Sequence, residues 1–271
     1  MWQPLHAIGG YKSMSRISDV FKRGKAFIPF VTAGDPCIET TEQLVLRMAE
    51  AGADLIEIGI PFSDPVAEGP VIQEADYRAL AAGTTTDRIF DMVKRVRRAS
   101  NIPIAFMTYV NPIYTYGTER FMENCREAGV DALIVPDVPF EERDELKPYC
   151  DSYGITLISM IAPTSKERIR RIAEIAEGFL YCVSSMGVTG VRSEIGTAAE
   201  GMVKTVKEVN DIPCAIGFGI STPAQAAEMA KISDGVIVGS AIVKIIAEHG
   251  KECVPYVEEY VRSMKGAIIN G

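Results

Sequence analysis

No stretch of this chain approaches the roughly 18 to 20 consecutive apolar residues that a bilayer-crossing helix needs, and its N-terminus lacks a charged region followed by an apolar run. The sequence therefore predicts a cytoplasmic protein, neither membrane-spanning nor exported. Basic residues are in deficit, 28 Lys and Arg against 36 Asp and Glu, for a net charge of -8 and a pI near 5.0. Such a chain repels phosphate backbones and anionic membranes, so nucleic-acid and membrane partners are not expected and any phosphate ligand must be held locally. The six cysteines, Cys37, Cys125, Cys150, Cys182, Cys214 and Cys253, form no CxxC pair and no metal-cage spacing. Free thiols in a reducing compartment, and no metal, are expected.

What is present is an ordinary globular composition, 47% hydrophobic and 24% charged over 271 residues, close to the length of one closed parallel barrel. Residues 1–13 carry no period of either kind and read as an extension, disordered or an artefact of the start codon, that contains Trp2. The remainder, 14–271, is expected to be one domain. Apolar runs at 26–32, 54–60, 102–109, 131–138, 155–161, 178–185, 212–219 and 234–240 alternate with segments of helical period, several opening on Thr or Ser at the N-cap position. Continuous rather than alternating hydrophobicity marks strands buried on both faces, the pattern of a parallel sheet covered by helices. The echo between EAGADLIEIGIP (50–61) and EAGVDALIVPDVP (127–139) supports repeated helix-turn-strand units. Eight such units predict an α/β fold, a single (β/α)8 TIM barrel with a short N-terminal helix, with a doubly wound open sheet as the alternative.

Barrel enzymes carry their chemistry at strand C-termini. Three late segments end there with glycine: MGVTG (186–190), IGFGIS (216–221) and VIVGSAIVK (236–244). Glycine lets backbone amides approach an anion, and the last segment opens a helix, so Gly219, Gly239 and Ser240 fall at the usual phosphate seat of the fold, unless these glycines merely turn the chain. Glu57 interrupts an apolar strand. A buried carboxylate is costly unless paired or functional, and burial raises its pKa toward acid-base use, which makes Glu57 the leading catalytic candidate; a lysine or backbone amide satisfying it is the alternative. The proline-stiffened loop beyond it holds Asp64, which an Asx turn also explains, and Glu68, which can equally be a solvated charge at a helix start. Asp137 ends the fourth strand, to orient a loop or face the pocket. Phe27, Tyr109, Tyr181 and Phe218 lie near strand ends, to line an aromatic slot or serve as core.

AFIPFVTAGDP, IEIGIPFSDPVAEGP, VPDVPFEE and GFGIS followed by GSAIVKII together resemble the tryptophan synthase alpha chain family, from about residue 15 to the C-terminus. The resemblance implies a lyase of tryptophan biosynthesis that cleaves indole-3-glycerol phosphate to indole and glyceraldehyde 3-phosphate in a (β/α)8 barrel. It implies Glu57 as the catalytic glutamate and Phe27, Tyr109 and Phe218 as the indole pocket. Tyr181 then stands beside the substrate, and Thr189 in a mobile loop that closes over it. Gly190, Gly219, Gly239 and Ser240 match phosphate-binding segments, and Asp64 and Asp137 match loop aspartates that communicate with a partner. That partner is the tryptophan synthase beta chain in an alpha-beta-beta-alpha complex that passes indole through a tunnel. Pyridoxal phosphate belongs to the beta chain, so no cofactor is implied here. Pro61 to Glu68 and the turn Ala33 to Pro36 would face both substrate and partner, and the chain alone is expected to be a monomer. Two departures stand out. Glu68 occupies a place where the family has aspartate bonding the indole N–H, and Ser185 stands where some relatives have arginine. An extra methylene at Glu68 requires a compensating loop shift, since a displacement near 1 Å at a catalytic group costs about a hundredfold in rate. A stand-alone lyase releasing indole, a catalytically weak partner that activates the beta chain and a phosphate-binding barrel of another pathway remain alternatives.

Overall fold

The computed structural model describes residues 16–183, 192–217 and 219–271. The readings of residues 1–13, Ser185, Thr189, Gly190 and Phe218 therefore lie outside the described residues. A helix α1 (Arg16–Val20) leads into β1 (Ala26–Thr32), followed by α2 (Ile38–Glu50), β2 (Ile56–Gly59), α3 (Pro70–Ala81), α4 (Thr86–Arg97) and β3 (Ile104–Met107). Then come α5 (Val110–Tyr116), α6 (Thr118–Ala128), β4 (Ala132–Ile134), α7 (Lys147–Tyr153), the short strands β5 (Thr156–Leu157) and β6 (Ser159–Ile161), and α8 (Lys166–Ile175). The chain finishes with β7 (Leu180–Val183), α9 (Arg192–Lys207), β8 (Cys214–Gly217), α10 (Pro223–Ile232), β9 (Gly235–Val238), α11 (Ser240–His249) and α12 (Val254–Asn270).

All strand pairings are parallel, in the order β5-β4-β3-β2-β1-β9-β8-β7-β6. β5 and β6 are the two halves of the expected fifth strand, divided at Ile158, whose N–H still donates to Leu133 O at 2.9 Å. The first half pairs with β4 and the second with β7, so one strand closes the sheet into an eight-stranded barrel. The division marks the point where the strand leaves one neighbour for the other.

Strand parity sorts the core into two layers. Ala26, Ile28, Leu55, Ala105, Ala132, Ile134, Ile158, Phe179, Ala215 and Ile237 pack together inside the barrel, joined by Ile17 and Val20 of α1, which plug its N-terminal end. The alternate residues, among them Val31, Ile56, Ile58, Phe106, Leu133, Cys182 and Val238, pack outward against the helices. Aspartates lock the strand starts. Asp54 Oδ2 accepts from Phe27 N–H at 2.7 Å and Lys265 Nζ at 2.6 Å, and Asp131 Oδ2 accepts from Ile104 N–H at 2.9 Å while binding Arg16 and Arg97. Asp54 and Asp131 follow Gly52 (φ 109°) and Gly129 (φ 79°), positive angles that favour glycine, which gives the EAG echo its structural meaning.

Thr85, Ser165 and Thr222 cap α4, α8 and α10, the last with Gln225 in a capping box. Cys37 precedes α2 and Gly117 precedes α6, neither with a side-chain cap, while Thr41 in the first turn of α2 accepts from Gly34 N–H at 2.9 Å. All six cysteines are free thiols. Among the described residues no helix is long and apolar enough to cross a membrane, and no cluster of acids, histidines and cysteines has metal-binding geometry.

Candidate active site

Glu57 on β2 lies two residues after the inward Leu55 that precedes the strand, and so points into the barrel, toward its C-terminal half. It is fully buried, and among the described residues neither carboxyl oxygen has a hydrogen-bond partner. Neither a lysine nor a backbone amide of the described residues satisfies it. Loss of water favours the neutral acid and raises the pKa from the ordinary 4.5 to about 8. Tyr181 on β7 feels the Glu57 charge, and a Cβ at Gly217 would lie 2.8 Å from its hydroxyl, so the absent side chain at Gly217 is what admits the ring. Burial drives the Tyr181 hydroxyl pKa well upward.

Phe27 requires correction. It sits at the second position of β1, the N-terminal end, opposite Val236, and belongs to the outer layer between strands and helices. Both position and parity remove it from the mouth. The inward aromatic of β1 is Phe30, the direct register partner of Glu57, packed against Ile72, Ala75 and Val243 of α3 and α11. Sequence reading missed it because all seven residues of AFIPFVT are buried, so hydrophobicity does not reveal the inward parity.

Glu68 ends the loop after β2 and is partly buried, with its backbone carbonyl accepting from Gln73 Nε2 at 2.9 Å. Its carboxyl faces Asp76 of α3, which is 3% exposed. Burial raises both acids, and the Glu68 charge raises Asp76 further. Tyr109 precedes α5, packs against Phe62 with ring centroids 5.5 Å apart and tilted by 38°, and accepts from Ala67 N–H at 2.9 Å, which ties the Glu68 loop to the end of β3. Burial raises its pKa, with Glu68, Asp76 and Asp137 contributing through their charges. The structure thus gathers Tyr109, Glu68 and Asp76, the last unnoticed in the sequence.

Asp137 accepts from Val110 N–H at 3.1 and 3.3 Å and so holds the N-terminus of α5. Asp64 is exposed and bonded by Ser63 Oγ, apart from the buried acids. On the far side of the mouth, Gly219 follows β8 with φ 75° and Gly239 precedes α11. Ser240 is the exposed first residue of α11, and among the described residues no side chain caps that helix, whose N-terminal N–H groups are of the kind that bind anions. A cavity of about 190 Å³ lies at the ends of β4 and β6, lined by Val135, Phe140, Arg143, Met160 and Arg168; none of these acids lines it.

A closed parallel barrel whose interior holds a buried carboxyl, without a hydrogen-bond partner among the described residues, places the chain in the (β/α)8 class. The family profile described as tryptophan synthase alpha chain matches residues 18–268, and the chain belongs to that family. Tryptophan synthase alpha chains of Lacticaseibacillus casei (48% identical; 94% of this chain, 96% of that one) and Caldanaerobacter subterraneus subsp. tengcongensis (49%; 92% and 97%) are among its relatives. The crystal structure of tryptophan synthase subunit alpha from Legionella pneumophila superposes with a TM-score of 0.87 at 37% identity, over 96% of this chain and 100% of that one. The tryptophan synthase complex of Pyrococcus furiosus gives 0.81 at 37%, over 90% and 98%. The chain is accordingly a lyase of tryptophan biosynthesis, and its reaction is the retro-aldol cleavage of indole-3-glycerol phosphate to indole and glyceraldehyde 3-phosphate.

Proposed function

We propose that Glu57 and Glu68 carry this cleavage, and the observation that supports it best is the buried, unpartnered Glu57 carboxyl with its pKa raised to about 8. At neutral pH Glu57 is an acid. It delivers its proton to indole C3, which places positive charge on the ring nitrogen. The resulting carboxylate takes the proton from the adjacent glycerol hydroxyl. The O–H pair forms the aldehyde C=O, the bond from C3 to the glycerol carbon breaks, and its electron pair restores the aromatic ring. Glu57 ends protonated as it began. Glu68 accepts the ring N–H and stabilises the charge developing there. Phe30, Tyr109 and Tyr181 flank the indole, while the amides near Gly219, Gly239 and Ser240 hold the phosphate. Proton transfer between carboxyl, carbon and hydroxyl completes the reaction, so it requires no cofactor of this chain.

The working assembly is an alpha-beta-beta-alpha complex in the cytoplasm, with the loop carrying Asp64 and the segment carrying Asp137 toward the beta chain. The testing experiment is indole release by the purified chain, with and without a beta chain, for wild type, Glu57→Gln and Glu68→Asp. Activity that rises with the beta chain and is lost in Glu57→Gln is expected. Retained activity in Glu57→Gln would refute the assignment, and activity indifferent to the beta chain would favour a stand-alone lyase.

A further inference from the structure

Glu68 and Asp76 pose a problem of charge. Asp76 is almost wholly buried on α3, and Glu68 Oε2 has no accessible surface and, among the described residues, no donor. The two carboxyls nonetheless face one another within hydrogen-bonding reach. Two carboxylates are both acceptors, so this contact as a pair of anions would be repulsive and unsatisfied; one proton converts it into a charge-assisted O–H···O⁻ bond. We propose that Asp76 is the positioning residue of Glu68: a neutral carboxylic acid whose O–H holds one Glu68 oxygen and so aims the longer side chain at the indole nitrogen.

The surroundings favour the proton on Asp76. Asp35 adds negative charge from the turn after β1, although its own carboxylate is held by Arg78 of the same helix through two bonds of 2.8 Å. The Phe62 backbone amide opposes this by favouring the ionised form of Asp76, Tyr109 presents a hydroxyl already bonded to Ala67, and Asp137 adds its charge at that tyrosine. α11 brings Val243 to this face of α3, and its Lys244 is exposed. Glu68 itself, its backbone fixed by Gln73, is the charge that raises Asp76 after burial does. A like charge alongside a buried acid delays its ionisation, so one proton remains on the pair at neutral pH.

The inference rests on the role proposed for Glu68, and the test separates the two. In a Glu57→Gln background, which removes that titration, affinity for an indole bearing a saturated three-carbon phosphate chain is measured from pH 6 to 9.5, with Asp76 and with Asp76→Asn. With Asp76, affinity should fall about tenfold above pH 7, as one charge-assisted hydrogen bond is lost. Asparagine donates an N–H that does not titrate, so the variant's profile should be flat above the phosphate's own ionisation. Superimposable profiles, or an affinity that rises with pH, overturn the inference, whereas a merely structural Asp76 would shift stability and leave the profile alone. Adding Glu68→Gln is the control: unchanged affinity at pH 7 means that Glu68 does not meet the indole and the underlying reading has failed. If Asp76→Asn does not fold, carboxyl carbon NMR of aspartate-labelled Glu57→Gln protein decides; an aspartate titrating above pH 7 is expected, and its absence overturns the inference.

Discussion

Phe30 and Glu57 are register partners across β1 and β2, and both side chains point into the barrel. The Phe30 ring lies over the end of β2, where a Cβ at Gly59 would come within 2.6 Å of its Cζ, and beside Gly239, where one would lie 3.3 Å from its Cδ1. The aromatic neighbour of the acid is thus seated by two glycines, one at the end of β2 after the acid and one between β9 and α11.

Gly59→Ala should therefore act through Phe30. The added methyl must displace a ring packed against Ile72, Ala75 and Val243. Overpacking of this kind costs about 1–3 kcal/mol, and a shift near 1 Å beside the reacting centre costs about a hundredfold in rate. Calorimetry together with kcat/KM for indole release measures both; unchanged kinetics would place the substrate away from Phe30.

Truncating the two β1 phenylalanines should give opposite patterns. Phe27→Ala opens a void in the outer layer, with a loss of about 3–5 kcal/mol, and should leave KM of the folded enzyme near wild type. Phe30→Ala should raise KM more than it lowers stability, since the ring borders the mouth. Urea unfolding and steady-state kinetics on both variants provide the comparison, and a KM effect confined to Phe27→Ala would reverse the assignment.

The contrast shows where the sequence was legible. Buried parallel strands announce themselves as unbroken apolar runs, and Glu57 stood out as an acid in the middle of one. Parity inside a wholly apolar run is invisible, however, because both faces of β1 are buried; the barrel decides it through pairing with β2 and β9. Asp76 was hidden for another reason. In EADYR it resembles an ordinary helix charge, and its partner Glu68 lies beyond a glycine-proline turn whose path the spacing does not encode. Asp137 was recognised as a strand-end acid, but the Val110 N–H that it accepts is a tertiary contact.

Burial of Glu57 should make stability depend on pH. Between the ordinary value of 4.5 and about 8 the folded protein holds a proton that the unfolded chain has released. Because the native state binds more protons across this window, unfolding becomes easier as pH rises, by up to about 1.4 kcal/mol per pH unit. The stability contributed by the neutral acid is complete below 4.5 and lost as pH climbs through 8. Glu57→Gln removes this dependence, so its melting temperature relative to wild type should increase steadily from pH 5 to pH 8.5. Parallel curves would mean that Glu57 ionises near its ordinary value.

Asp137 offers a way to separate a structural acid from a communicating one. Its two oxygens accept the Val110 N–H at the start of α5, a cap supplied from the loop after β4, 27 residues away in sequence. Removing a cap costs about 1 kcal/mol, and Asp137→Ala should show that loss in the isolated chain. The same helix start carries Tyr109, which holds the Glu68 loop through Ala67, so a loosened α5 should also lower basal turnover. If capping is the whole role, the ratio of activity with and without the beta chain stays constant in the variant. A ratio that collapses while the melting temperature holds would instead assign Asp137 to communication with the partner, because a cap acts before any partner binds.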